Sequence, residues 1–121
     1  MAIKKLVDEI VAFRDQREWA QFHTPKNLAA ALAIEAAELQ EQLLWKSDSE
    51  VRDFTNSDTG HEKLSDEVAD IFIYTLLFAH SAGIDLEAAT RIKLKKNAEK
   101  YPVELSKGKA SKYNALQGNS S

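Results

Sequence analysis

The chain has 121 residues, enough for one domain with a real core, and is 44% hydrophobic and 29% charged with a formal charge of −3. With no cysteine it offers neither disulfides nor thiolate metal ligands, and with two prolines and four glycines it reads as long helices rather than a turn-rich sheet protein. Its longest apolar run, Ile71 to Ala79, is too short for a bilayer, and acids interrupt the N-terminal stretch where a signal peptide is apolar, so the expectation is a cytoplasmic protein with no membrane partner.

Four helices are predicted in order. The first, about Ile3 to Trp19, repeats apolar residues at Ile3, Leu6, Val7, Ile10, Val11 and Phe13. The second opens at Pro25 behind Thr24 as N-cap and runs to about Lys46. The polar stretch from Ser47 to Gly60 reads as a loop. The third runs from about His61 to Ala82 and stops at Gly83, which serves as its C-terminal cap. Asp85 caps the fourth, which ends at Tyr101 because Pro102 follows. Val103 to Leu116 reads as irregular and residues 117–121 as a disordered tail. The expected fold class is all-α, a bundle of about four main helices in one domain over residues 1–116.

Two of these helices carry paired carboxylates, Glu35 with Glu38 and Glu67 with Asp70. Residues three apart share a helix face, and like charges there repel. Local basic partners are nearly absent: only Glu67 has a lysine, Lys63, within a turn. Glu35 also falls in an apolar seam of heptad spacing with Leu28, Leu32, Leu39 and Gln42. On the third helix Leu64, Val68, Ile71, Thr75 and Phe78 form the seam, flanked by Glu67 and Asp70. A charge in such a seam is costly unless paired or coordinated. A divalent cation satisfies that demand; an ion pair with Lys93 or Lys100 is the competing reading.

Four carboxylates without cysteine are hard oxygen ligands, suited to Mg²⁺, with Mn²⁺ as a substitute. A di-iron bundle uses Glu-x-x-His pairs, and neither pair here ends in histidine. His80, ten residues beyond Asp70, lies about 15 Å further along an ideal helix. Mg²⁺ usually keeps waters and is completed by substrate phosphates. The charge distribution agrees with such a ligand. Arg91 to Tyr113 carries eight basic residues against two acids, a net +6, and the rest of the chain a net −9. A solvated, lysine-rich helix end accounts for the same charges. Lys93, Asn97, Lys100 and Tyr101 share one broad face of the fourth helix, and Trp19, Phe22, His23 and Trp45 flank the ends of the second, where aromatic rings can stack on a base.

The ordered series FHTPKNLAAALAIEAAELQEQLLWK, DEVADIFIYTLLFA, KLKKNAEKYP and LSKGKASKY, over about Trp19 to Tyr113, resembles the MazG-type nucleotide pyrophosphohydrolases of the all-α NTP pyrophosphatase superfamily. Within it, the chain is most similar to the short members related to dCTP pyrophosphatase. The resemblance implies hydrolysis of a (deoxy)nucleoside triphosphate, dCTP or a related or modified dNTP, to the monophosphate and pyrophosphate, as nucleotide-pool house-cleaning. It implies Mg²⁺ held by Glu35, Glu38, Glu67 and Asp70, with Glu35 or Glu38 activating the attacking water. It implies substrate contacts from Lys93, Asn97 and Lys100, and a base and sugar pocket from Trp19, His23, Trp45, Tyr74 and Tyr101. It also implies a homo-oligomer, dimer or tetramer, while overall acidity and four unpaired carboxylates argue against a nucleic-acid partner. The alternative class is a non-enzymatic helical oligomerisation module whose acids are surface charge.

Overall fold

The computed structural model describes residues 2–108. They form six α-helices and one 3₁₀ turn, with no strand among the described residues, so the chain is all-α as expected. The expected tail over residues 117–121, and Lys109, Lys112 and Tyr113, lie outside the described residues. The chain gathers into two compact units, Met1–Ile84 and Asp85–Ser121.

The first unit holds α1 (Ala2–Gln16), a 3₁₀ turn (Ala20–Phe22), α2 (Pro25–Leu43), α3 (Asp48–Asn56) and α4 (Asp58–Ser81). α4 is its hub: α2 packs against it most extensively, and α3 and α1 also lie on it. Among the described residues the buried apolar side chains are Leu28 on α2 with Leu76, Leu77 and Ala79 on α4, Leu28 and Leu76 fully so. Each such leucine contributes about 1.5–3 kcal/mol by leaving water.

Local chemistry sets the boundaries. Thr24 Oγ1 accepts the Asn27 N–H at 3.2 Å and starts α2 as the sequence predicts. The stretch from Ser47 to Gly60 is not a loop. Ser47 Oγ accepts the Glu50 N–H at 3.2 Å and the Ser47 N–H donates to Glu50 Oε1 at 2.9 Å, a capping box that nucleates α3. These bonds hold the Glu50 carboxyl below the usual carboxylate range. Ser57 ends α3 and starts α4: its N–H donates to the Asp53 carbonyl at 3.0 Å and its Oγ accepts the Gly60 N–H at 3.0 Å. Gly60 is buried at this corner, where a Cβ would overlap the Phe54 carbonyl oxygen.

α1 and α4 close with the same hydrogen-bond pattern. After α4, the Ile84 N–H reaches the Ala79 carbonyl at 2.8 Å and the Gly83 N–H that of His80 at 3.3 Å, with Gly83 at φ +68°. After α1, the Trp19 N–H reaches Arg14 at 3.1 Å and the Glu18 N–H reaches Asp15 at 3.0 Å, with Glu18 at φ 55°. Both are Schellman caps, and in the second a glutamate occupies the left-handed position that glycine favours. α1 therefore ends at Gln16, not Trp19. The cap sets the Trp19 indole edge-on to Phe13, ring centroids 5.8 Å apart.

The second unit holds α5 (Leu86–Lys100) and a helical turn α6 (Val103–Ser106), where the sequence reads as irregular. Asp85 caps α5 by accepting the Ala88 N–H at 3.1 Å.

Candidate metal centre and adjoining cavity

α2 and α4 bring the paired carboxylates together. Oxygens of Glu35, Glu38 and Glu67 lie within 4.8 Å of one another. The seam on α2 is as predicted: Leu28 is buried, and Leu32, Glu35, Leu39 and Gln42 are half-buried at heptad spacing. On α4 Leu64, Ile71, Thr75 and Phe78 are half-buried as expected, whereas Val68, also expected in the seam, is 52% exposed and Glu67 beside it is half-buried.

The electrostatics match this crowding. Glu35 is pushed up to about 7 by burial, then by a hydrogen bond and repulsion from Glu38, then by the charges of Asp70 and Glu67. Burial and the charges of Glu38, Asp70 and Asp66 raise Glu67 as well. No lysine or arginine among the described residues of the first unit pairs with any of the four. One oxygen each of Glu35 and Glu67 is buried with no hydrogen-bond partner. Carboxylate oxygens from two helices, close enough to share one small ion and drawn entirely from hard donors, fit a divalent cation such as Mg²⁺ or Mn²⁺, and buried unpartnered oxygens on Glu35 and Glu67 leave that demand unmet by protein groups.

Asp70 links this cluster to a second feature. It contributes to the field at Glu35 and also lines a cavity of about 250 Å³ between α1, the 3₁₀ segment and α4. Phe13, Arg14, Trp19, His23 and Tyr74 form its other functional walls, over an apolar floor of Ile10, Ile73 and Leu77. Three residues that the resemblance assigns to a base and sugar pocket, Trp19, His23 and Tyr74, therefore meet beside the fourth carboxylate. The Trp19 and His23 rings are 6.4 Å apart and tilted by 52°. Burial, and then the charge of Arg14, lower the His23 pKa, which keeps the imidazole neutral near pH 7. Its Nδ1 is buried without a partner.

The remaining sequence-predicted residues lie elsewhere. Trp45, beyond the end of α2, is 89% exposed and does not line that cavity. In the second unit Lys93 and Asn97 share one face of α5 with Leu86, Ala89, Thr90 and Leu94, along a groove of about 370 Å³. Lys100 ends that helix half-buried, and the Tyr101 N–H donates to the Asn97 carbonyl at 2.8 Å. Arg14 is the residue that sequence reasoning missed. It follows Ile3, Val7 and Ile10 on the half-buried stripe of α1, a charge in an apolar row, the same signal that singles out Glu35.

A family model described as MazG-like matches residues 30–116, and the chain belongs to the MazG-like family. A solved structure similar to it is a pyrophosphatase from Archaeoglobus fulgidus, 38% identical, with a TM-score of 0.77 over 84% of this chain and 94% of that one. Among curated proteins, it is 40% identical over 104 residues to dCTP pyrophosphatase 1 of Bos taurus and 36% identical over the same length to that of Homo sapiens. Each match covers 86% of this chain, which spans only 62% and 61% of those relatives' lengths. No single helix among the described residues is long and apolar enough to cross a membrane.

Proposed function

We propose that the chain is a Mg²⁺-dependent nucleotide pyrophosphohydrolase. It converts a (deoxy)nucleoside triphosphate, dCTP or a related or modified dNTP, to the monophosphate and pyrophosphate, as nucleotide-pool house-cleaning. The observation that carries this reading is the convergence of Glu35, Glu38 and Glu67, with buried unpaired oxygens, next to an aromatic cavity that Asp70 also lines. The pyrophosphatase names of the bovine and human relatives and of the archaeal structure support it.

A bound Mg²⁺, held by Glu35, Glu38, Glu67 and Asp70, would supply Lewis-acid stabilisation of charge on the phosphate oxygens. The chain's own residues supply the rest. Glu38 is exposed to solvent and lies within hydrogen-bonding reach of both Glu35 and Glu67, so it takes the proton of the attacking water at a carboxylate oxygen. Glu35, less exposed, orients that water. Trp19, His23 and Tyr74 present rings and a phenol to base and sugar, with Trp45 and Tyr101 as further contacts. Lys93, with Lys96 or Lys100, offsets charge on the leaving pyrophosphate, and Asn97 contacts the substrate through its neutral amide. The reading includes a homo-oligomer, dimer or tetramer. Half-exposed Ile34 on α2 and Val68 and Phe72 on α4 support it, as apolar surface that a second copy would cover.

The test is a panel of NTPs and dNTPs incubated with Mg²⁺, scored for pyrophosphate against orthophosphate. The expected result is equimolar monophosphate and pyrophosphate, fastest with dCTP or a modified cytosine nucleotide. Release of orthophosphate alone contradicts the reading, and sedimentation of a monomer contradicts its oligomeric part.

A further inference from the structure

The cavity beside Asp70 contains one group that neither the paired carboxylates nor the aromatic walls explain, the guanidinium of Arg14. Its side chain is 15% exposed at the end of the apolar stripe of α1. It is anchored from the solvent side: Nε donates to Asp15 Oδ1 at 2.9 Å and Nη2 lies 2.8 Å from the same oxygen in an ion pair, while the Asp15 side chain is 54% exposed. These contacts occupy the Nε–Nη2 edge of the guanidinium and fix the plane of the fork. The backbone is fixed as well, because the Arg14 carbonyl accepts the Trp19 N–H in the cap that closes α1. The guanidinium and the Trp19 ring are therefore held as one unit on the cavity wall. A surface ion pair does not require an arginine so placed, since Asp15 sits on the open side.

We propose that Arg14 is a specificity-determining residue of the nucleotide site: its free N–H groups donate to a base edge that carries two neighbouring acceptors, a carbonyl oxygen and an unprotonated ring nitrogen. The assignment rests on the nucleotide reading of the cavity given above. Arginine has donors only and stays charged, so it rewards paired acceptors and opposes an N–H. On the pairing edge, cytosine presents O2 and N3 as adjacent acceptors. Uracil and thymine place an N–H between their carbonyls, guanine places N–H beside its carbonyl, and adenine has a single acceptor there. Buried His23 Nδ1, unpartnered on the same wall, and Asp70 are available for the remaining polar atoms of the base. Guanine offers such an acceptor pair, O6 and N7, only on its other edge; on the pairing edge the selected class is the cytosine nucleotides, modified or not at positions away from it, and the dGTP arm below separates the two edges.

The experiment compares the wild-type chain with Arg14→Leu and Arg14→Lys, using dCTP, dTTP and dGTP in Mg²⁺, with folding checked by circular dichroism. The expected result for Arg14→Leu is a fall in the dCTP-to-dTTP ratio of kcat/KM on the order of 10–100-fold, carried by KM for dCTP. Arg14→Lys recovers only part, because a point donor replaces a planar fork. Equal losses for all three nucleotides assign Arg14 to structure and overturn the proposal, as does a selective loss for dGTP. If the wild-type chain releases pyrophosphate from no nucleotide, the proposed function fails. The Arg14 assignment is then read from equilibrium binding of dCMP and dTMP: a preference for dCMP lost in Arg14→Leu upholds it, and one unchanged overturns it.

Discussion

α4 presents different chemistry to its two neighbours. Toward α2 it brings Glu67 to Glu35 and Glu38, groups that repel one another, with burial raising the pKa of Glu35 and Glu67. Toward α1 it brings Asp70, Ile73, Tyr74 and Leu77 to a cavity walled by Phe13, Trp19 and His23. The first face gathers like charges that a divalent cation would neutralise. The second is assembled from rings and a fixed guanidinium and stands without one. On the proposed reading, the difference separates two functions on one helix: reactivity on the α2 side, selection on the α1 side, with Asp70 belonging to both. The buried Leu76, Leu77 and Ala79 further along α4 supply stability that the carboxylate face does not.

Breaking the α2 face has the largest expected effect. Glu38→Gln or Asp70→Asn should lower pyrophosphate release by roughly 100-fold or more for every nucleotide, with the helical circular dichroism retained. Near-normal rates in saturating Mg²⁺ would remove the division between the faces. Next comes the corner that sets the start of α4. Gly60→Ala places a methyl group against the Phe54 carbonyl oxygen and should destabilise the chain by about 1–3 kcal/mol in urea melts.

The carboxylate face also has a pH signature. Glu35 titrates at about 7 in the folded, metal-free chain, against an ordinary value of 4.5. Between those values the folded chain binds more protons than the unfolded one. The raised carboxyl therefore contributes stability that is fully present below 4.5 and is lost as pH rises through about 7. Thermal melts should show Tm falling across that window without metal. Mg²⁺ needs the ionised carboxylates, so the Tm gain on adding it should be larger at about pH 8 than at about pH 5.5. The smallest expected effect belongs to the α1 side. Glu18→Gly relieves a glutamate held at φ 55° and should stabilise the chain by up to about 1 kcal/mol, seen as a modest rise in Tm.

The carboxylate face was legible in the sequence because helical spacing alone puts Glu35 with Glu38 and Glu67 with Asp70. The seam of α4 was legible at Leu64, Ile71, Thr75 and Phe78 but not at Val68, because an apolar side chain does not by itself mark the buried face; Glu67 is half-buried there and Val68 exposed. α3 was missed because Ser, Asp and Asn serve both turns and helix starts; the Ser47-x-x-Glu50 capping box was the deciding signal. The α1 cavity was only half legible. The resemblance pointed to Trp19, His23 and Tyr74, but their meeting with Arg14 depends on a chain reversal after Glu18 and on packing between segments some fifty residues apart. Local periodicity contains no such information.

The central claim is that the α2–α4 carboxylates form a divalent-metal centre. Titration of Mn²⁺ into the wild-type chain and into a Glu35→Gln, Glu67→Gln double variant, followed by electron paramagnetic resonance of the free ion, tests it most directly. The account predicts saturable binding by the wild type and its loss in a variant that keeps its helical dichroism. Equal binding by both would contradict it.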